Sequence, residues 1–222
     1  MVLIQESDQK YLREEFSKSL KSNIELIVFT AEDGQCKYCK ETVQLAEEVS
    51  SLTGKIKLTI YDFNKDAEKA RELGVDKYPT TIVCREGSIH GRVRYAGIPS
   101  GYEFGSLIED IKMVSDSEVK ISSKAMEIIS KVKNPVRIKV FVTPTCPYCP
   151  RAVETAHKFA FTNEKVSAEM IETSEFNKEA QDAGVTAVPH IVINDDIKFD
   201  GARPDEEFAE YVLEASMNSA QN

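Results

Sequence analysis

The sequence has no run of basic residues and no long apolar stretch, and both absences exclude broad classes of function. Its 28 Lys and Arg residues are outnumbered by 37 Asp and Glu residues, so the formal net charge is −9. Without a basic cluster, the chain lacks the electrostatic footprint of a nucleic-acid-binding protein. No apolar stretch approaches the roughly 18 residues of a membrane-spanning helix, and the first residues do not resemble an export signal. We therefore expect a cytoplasmic protein with neither a nucleic-acid nor a membrane partner.

Cysteine is scarce, and its arrangement indicates chemistry. Four of the five cysteines form two Cys-x-x-Cys pairs, Cys36 with Cys39 and Cys146 with Cys149. This is not the scattered, even set of a secreted disulfide framework, and in a cytosolic protein it points to redox or metal chemistry. The fifth cysteine, Cys84, lies in an apolar run and is interpreted as a small buried side chain.

Each pair stands where a predicted strand gives way to a predicted helix. A helix N-terminus carries free N–H groups and a positive dipole end, so it favours a thiolate over a thiol. Pro147 suits the first helical position because its missing N–H would make no intrahelical bond there. Pro150 is expected to be less comfortable, since it falls where an intrahelical N–H is predicted to be needed.

The chain repeats itself. The two cysteine pairs are 110 residues apart, and the same offset relates two downstream glycines and two prolines, Gly74 with Gly184 and Pro79 with Pro189. In each half the pattern predicts helix, strand, helix, strand, helix, hairpin and helix. We therefore predict an α/β protein of two units, each a central mixed sheet flanked by helices. The predicted domains are residues 1–116 and 117–222.

With these motifs in place, the chain resembles the thioredoxin fold. Two such units in one chain are similar to the protein disulfide oxidoreductases of hyperthermophilic archaea and bacteria, also called glutaredoxin-like proteins. The match covers nearly the whole chain. It is carried by Cys36-Lys37-Tyr38-Cys39, Cys146-Pro147-Tyr148-Cys149, the paired prolines and the motif Tyr95-Ala96-Gly97-Ile98-Pro99-Ser100-Gly101-Tyr102-Glu103-Phe104.

The resemblance implies specific roles at both sites. Cys36 and Cys146 would attack substrate disulfides, and Cys39 and Cys149 would resolve the mixed disulfides. Cis peptide bonds are implied at Tyr78-Pro79 and Val188-Pro189, where the backbone before the proline would pair with an extended substrate chain. Tyr38 and Tyr148 are expected to line the sites and to present apolar surface to the substrate.

The resemblance also implies partners. The substrates would be proteins with disulfides or thiols, and electrons would come from a thioredoxin-reductase-like flavoenzyme. Neither a cofactor nor a metal of the chain's own is expected. The direction of the reaction, as reductase, oxidase or isomerase, stays open, and so does the order of the two redox potentials. Those potentials are predicted to differ, because Lys37 stands in the first motif where Pro147 stands in the second.

Some residues depart from the pattern of thioredoxin. The buried aspartate of thioredoxin is replaced by Val28 in one unit and Val140 in the other. Asp62 and Glu172, at corresponding strand ends, are then candidates for proton transfer or simply solvated charges. His190, which follows Pro189, could influence Cys146 or could point away from it.

Two other functions compete with this one. Four thiolates could hold one zinc ion, although pairs 110 residues apart far exceed zinc-ribbon spacing. A glutathione-dependent glutaredoxin is favoured by the second motif. It is disfavoured by Asp200, which stands where glutaredoxins have glycine and whose carboxylate would repel glutathione.

Overall fold

The computed structural model describes residues 2–32, 34–88 and 91–218, and within them it contains eight helices and eight strands. These residues form two compact units. The first comprises those before Arg92 together with Tyr95–Ile98 and Ile108–Glu118. The second comprises Arg92–Arg94, Pro99–Leu107 and those from Val119 onward. The domain boundary at Asp116 stays a prediction, but two short segments before it belong to the second unit.

The elements follow the order expected from the repeat. Up to residue 116 they are α1 (Glu6–Ser19), β1 (Ile24–Thr30), α2 (Cys39–Ser50), β2 (Ile56–Asp62), α3 (Ala67–Glu72), β3 (Thr80–Arg85), β4 (Val93–Ala96) and α4 (Glu103–Asp116). The remainder are α5 (Ser123–Ser130), β5 (Val136–Val142), α6 (Cys149–Thr162), β6 (Val166–Glu172), α7 (Asn177–Ala183), β7 (His190–Ile193), β8 (Ile197–Asp200) and α8 (Asp205–Asn218).

The strands pair in the same way in both units. In the first, β1 is parallel to β2 and antiparallel to β3, with Ile24 opposite Ile56 and Arg85. In the second, β5 is parallel to β6 and antiparallel to β7, which pairs with β8 in a hairpin. Each unit is therefore the predicted mixed sheet with the strand before the cysteine pair at its centre.

The central strand β1 is nearly all apolar because both of its faces are covered. Six of the seven residues of β1 are buried, which agrees with its nearly continuous apolar sequence. In the first unit Phe29 packs with Ala70, Leu73 and Ile82. In the second unit Phe208 meets Phe159 edge-to-face, with ring centroids 5.4 Å apart. Such aromatic pairs add about 0.5–1.5 kcal/mol beyond the burial of their surface.

None of the helices in the described ranges combines the length and apolar character that crossing a membrane requires. In the same ranges, no group of three or more His, Cys, Asp or Glu side chains is arranged to hold a metal ion.

A tight contact fixes the loop before the second cysteine pair. Gly101 has a φ of +61°, and the backbone N–H of Tyr102 donates a 3.0 Å hydrogen bond to the carbonyl oxygen of Pro144. A Cβ atom on Gly101 would overlap that oxygen and lie 2.9 Å from the Pro144 carbonyl carbon. Glycine is therefore required at 101 for its backbone angle and for its lack of a side chain.

We expect Gly101→Ala to destabilise the second unit more than Gly184→Ala does. Gly184 also has a positive φ, of +81°, but an added Cβ would meet nothing within 4 Å. Both variants carry the left-handed penalty of about 1–2 kcal/mol. Only Gly101→Ala adds a steric overlap, which lowers the free energy of unfolding by a further roughly 1–3 kcal/mol. Urea unfolding followed by circular dichroism measures the difference, and equal losses of stability would contradict the contact.

Candidate active sites

The first cysteine pair forms a disulfide at the start of α2. The Cα atoms of Cys36 and Cys39 are 5.6 Å apart. Cys36 is half-buried in the loop, whereas Cys39 is the first residue of the helix and only 4% exposed. Tyr38 precedes the helix, and its carbonyl oxygen accepts hydrogen bonds from the backbone N–H and the hydroxyl of Thr42, both 2.8 Å. The more accessible sulfur is therefore that of Cys36.

The second pair has the same construction. Cys146 and Cys149 form a disulfide with Cα atoms 5.6 Å apart, and α6 begins at Cys149. Cys149 is fully buried and Cys146 is 8% exposed. The sulfur of Cys146 lies 3.7 Å from the carbonyl oxygen of Val188, a distance at which a reduced thiol could donate a weak hydrogen bond. Cys146 thus adjoins the residue before the predicted cis proline.

The expected start of α6 is wrong. Pro147 lies before the helix, and Pro150 is the proline in its first turn. The N–H groups of the first turn make no intrahelical bonds, so Pro150 is favourable at this position. The local reason is that Cys146 belongs to the loop, where its N–H donates to the carbonyl oxygen of Thr143 at 3.1 Å.

Both expected cis peptide bonds, Tyr78-Pro79 and Val188-Pro189, are confirmed. Each proline is held by the same contact, since the backbone N–H of a downstream glycine donates to its carbonyl oxygen. Gly97 binds Pro79 at 2.9 Å, and Gly201 binds Pro189 at 2.8 Å. Both glycines have positive φ angles. The duplicated prolines therefore lie in duplicated surroundings.

The aromatic residues of the two sites differ in exposure. Tyr148 is 72% exposed. Tyr38 is half-buried, and the ammonium group of Lys37 lies 5.0 Å from its ring centroid. Tyr78 packs on Phe63, with ring centroids 5.0 Å apart. Lys37 thus contacts an aromatic ring, which is a cation–π arrangement.

His190 is oriented by its neighbour on β8. Its Nδ1 atom lies 2.7 Å from a carboxylate oxygen of Asp200, and its side chain is buried beside the ring of Phe141. Strand pairing explains the contact, since His190 stands opposite Asp200 in the β7–β8 hairpin. The hydrogen bond therefore fixes the orientation of the ring at the residue that follows the cis proline.

The two carboxylates at the strand ends, those of Asp62 and Glu172, accept hydrogen bonds from the loops that follow them. Asp62 accepts hydrogen bonds from the backbone N–H groups of Asn64 and Lys65, both 3.0 Å. The Lys65 N–H, followed by the Lys65 ammonium, lowers the pKa of Asp62 and makes it a weaker proton acceptor. Glu172 is buried and accepts from the N–H and hydroxyl of Ser174 and from the N–H of Glu175. A solvated charge is therefore the wrong description of Glu172.

The burial of the Glu103 carboxylate was not expected from the sequence. Glu103, in the first turn of α4, is 1% exposed and accepts a 2.8 Å hydrogen bond from the hydroxyl of Ser106. Glu103 belongs to the motif Tyr95–Phe104, which carries part of the family resemblance. An acidic residue in a first helical turn is a common surface feature, so its burial gave no signal in the sequence.

Cys84 is buried, as expected. Its sulfur lies 3.6 Å from the carbonyl oxygen of Glu25 on β1. Burial raises the pKa of its thiol to about 12. Since the thiolate is the reactive form, the raised pKa lowers the reactivity of the Cys84 thiol.

Sequence comparison identifies both halves of the chain. The thioredoxin family profile matches residues 8–108, and a second profile described as a thioredoxin domain matches residues 136–214. The chain is 27% identical over 187 residues to an alkyl hydroperoxide reductase subunit of Staphylococcus aureus (strain N315). It spans about a third of the length of such curated relatives.

Solved structures agree with the fold. A protein disulfide oxidoreductase from Aeropyrum pernix K1 superimposes with a TM-score of 0.89 at 32% identity, over 98% of this chain and 96% of that one. The N-terminal domain of the alkyl hydroperoxide reductase AhpF from Enterococcus faecalis has the same fold, with a TM-score of 0.86 at 24% identity, over 94% of this chain and 99% of that one.

Two thioredoxin folds, each with a Cys-x-x-Cys disulfide at a helix start, define a thiol–disulfide oxidoreductase. The chain belongs to the family of protein disulfide oxidoreductases built from tandem thioredoxin folds.

After full reduction, we expect iodoacetamide to label Cys36 faster than Cys39 and Cys146 faster than Cys149, because the first cysteine of each pair is the more exposed. Cys84 should stay unlabelled until the protein is denatured. Raising its pKa from the ordinary value of 9.0 to about 12 lowers its thiolate fraction about a thousandfold. Quenched time points analysed by peptide mass spectrometry give all five rates. Labelling of native Cys84 as fast as Cys36 would contradict its burial.

Proposed function

We propose that the chain exchanges disulfides with protein substrates through a mixed-disulfide intermediate at each of its two sites. The observation that carries this proposal is the difference in exposure within each pair. Cys36 is half-buried and Cys39 is 4% exposed, whereas Cys146 is 8% exposed and Cys149 is fully buried, so the first cysteine is the more exposed residue of each pair. An attacking thiolate must reach a substrate, whereas a resolving thiolate needs to reach only its neighbour.

In the reducing direction the reaction consists of two thiol–disulfide exchange steps. The thiolate of Cys146 attacks one sulfur of the substrate disulfide, a bond forms between them, and the other substrate sulfur leaves as a thiolate. Cys149, once deprotonated, then attacks the sulfur of Cys146 and releases the second substrate thiolate. Two electrons pass to the substrate, and the Cys146–Cys149 disulfide remains. Cys36 and Cys39 follow the same steps in the first unit.

The cis prolines favour a substrate that binds as an extended chain. In the second site the carbonyl oxygen of Val188 lies beside the sulfur of Cys146. A substrate strand that pairs with the backbone of Val188 would bring its own disulfide to that sulfur. Tyr78 and Pro79 would serve the first site in the same way, and Tyr38 and Tyr148 would add apolar contact.

Electrons would reach the disulfides from a thioredoxin-reductase-like flavoenzyme. Support comes from relatives that are named as alkyl hydroperoxide reductase subunits, in which the matching part covers about a third of the length. Protein substrates are favoured over glutathione, because the carboxylate of Asp200 is half-exposed beside Pro189 and would repel an anionic tripeptide. A cytoplasmic location would suit this chemistry, since thiols there are kept reduced.

Replacing a resolving cysteine should trap the intermediate. In a Cys36→Ser, Cys39→Ser background, we expect Cys149→Ser to accumulate a stoichiometric mixed disulfide with an oxidised substrate peptide. The matched Cys146→Ser variant should accumulate little, because Cys149 is fully buried. Mass spectrometry of the acid-quenched, non-reduced protein measures the adduct. Equal trapping by both variants would contradict the assigned roles.

Redox titration of the whole chain should resolve two two-electron transitions, each abolished by replacing its own attacking cysteine with serine. A separation of about 30 mV corresponds to about 1.4 kcal/mol, which one altered charge or hydrogen bond can supply. The difference between Lys37 and Pro147 is such a change. Thiol counting and zinc analysis are run on the same samples. One stoichiometric zinc that protects four thiols would overturn the oxidoreductase proposal.

A further inference from the structure

The motif Tyr95–Phe104 marks the family, and Gly97 within it holds the carbonyl of Pro79, but its second half has no role in the disulfide exchange itself. Its part from Pro99 onward belongs to the second unit, where it contacts the loop before Cys146. Gly101 packs directly on the carbonyl of Pro144, and the N–H of Tyr102 donates to the same oxygen. Tyr102 is therefore attached by its backbone to a residue two positions before Cys146.

The side chain of Tyr102 is 56% exposed, although large apolar side chains are usually buried. Tyr148, two positions after Cys146, is 72% exposed. Two exposed tyrosines thus belong to segments next to the attacking cysteine: Tyr148 lies two positions after it in the chain, and the backbone of Tyr102 is hydrogen-bonded to Pro144, two positions before it. Tyrosine is enriched at binding surfaces because it offers a large rigid contact area and a polar hydroxyl.

We propose that Tyr102 is a specificity-determining residue of the second site, where it and Tyr148 bind the polypeptide that flanks a substrate disulfide. The inference rests on the proposed function. The occupant is a protein or peptide chain with apolar side chains next to its cystine. Such a chain buries aromatic surface on binding, and each buried aromatic contact strengthens its affinity.

The two tyrosines are placed by different elements. Tyr148 directly precedes α6. Tyr102 is held at its backbone by the hydrogen bond to Pro144 and by the close approach of the glycine before it. Since the fold places both backbones, a substrate has only their side chains to order on binding.

Two kinds of substrate distinguish binding by Tyr102 from the exchange chemistry. A cystine peptide with apolar flanks offers both a disulfide and a surface for Tyr102. Bis(2-hydroxyethyl) disulfide offers a disulfide with almost no surface. Replacing Tyr102 should therefore raise the KM for the peptide and have little effect on the rate with the small disulfide.

The experiment uses the full chain with Cys36→Ser and Cys39→Ser, so that only the second site turns over, and dithiothreitol as reductant. Into this parent we introduce Tyr102→Ala, Tyr102→Phe and the control Tyr11→Ala, which removes a tyrosine that is 63% exposed on α1 of the first unit. We expect Tyr102→Ala to raise the KM for the peptide about 3- to 10-fold. Tyr102→Phe should retain most of the affinity, and Tyr11→Ala should match the parent. The rate with the small disulfide should fall less than about twofold for Tyr102→Ala, because little surface is lost.

Three results would overturn the inference. If the parent turns over the peptide and Tyr102→Ala leaves its KM unchanged, Tyr102 does not bind substrate, and the proposed function stands. If Tyr102→Ala slows both substrates equally, the residue acts through the structure of the loop. If the parent exchanges disulfides with neither substrate, the proposed function fails and the inference fails with it.

Discussion

The placement of each disulfide depends on the junction where a buried strand ends and a helix begins. The second cysteine of each pair is the first helical residue and is buried, whereas the first cysteine lies in the loop and is the more exposed of the two. The central strand before each pair fixes the position of this junction. Because the first cysteine is the more exposed and its partner is buried next to it, an exchange that begins at the first sulfur can be completed inside the protein.

The cis prolines depend on a second contact that the two units share. In each unit a glycine with positive φ donates its N–H to the proline carbonyl, so the carbonyl after the cis bond is satisfied within the protein. In the second unit the carbonyl oxygen of Val188 lies 3.7 Å from the sulfur of Cys146. Duplication has thus preserved a hydrogen-bonding scheme as well as an order of elements.

Much of this architecture could be predicted from local patterns. The apolar strands, the 110-residue offset and the two prolines report on single segments or on repeats, and the structure agrees with them. The start of α6 could not be predicted correctly, because either Pro147 or Pro150 satisfies the rule for a first turn and only the position of Cys146 in the loop decides between them. The loop-holding role of Glu172 and the burial of Glu103 also depend on contacts formed by folding, which no periodicity records. The same is true of residues 99–107, whose membership in the second unit has no signal in the sequence.

The two sites share their backbone chemistry and differ in the side chains around it. In the first motif the positive charge of Lys37 lies over Tyr38, so cation and ring partly satisfy each other. In the second motif proline replaces the cation, and Tyr148 projects into solvent with no charge stacked on it by its own motif. A ring that is already covered by an ammonium group has less surface to offer a substrate, whereas an exposed ring gains from every contact it makes. The difference between Lys37 and Pro147 is expected to give the two sites unequal redox potentials. It therefore also gives them unequal exposed aromatic surfaces. Unequal aromatic surfaces at the two sites thus require no change in the cysteines themselves.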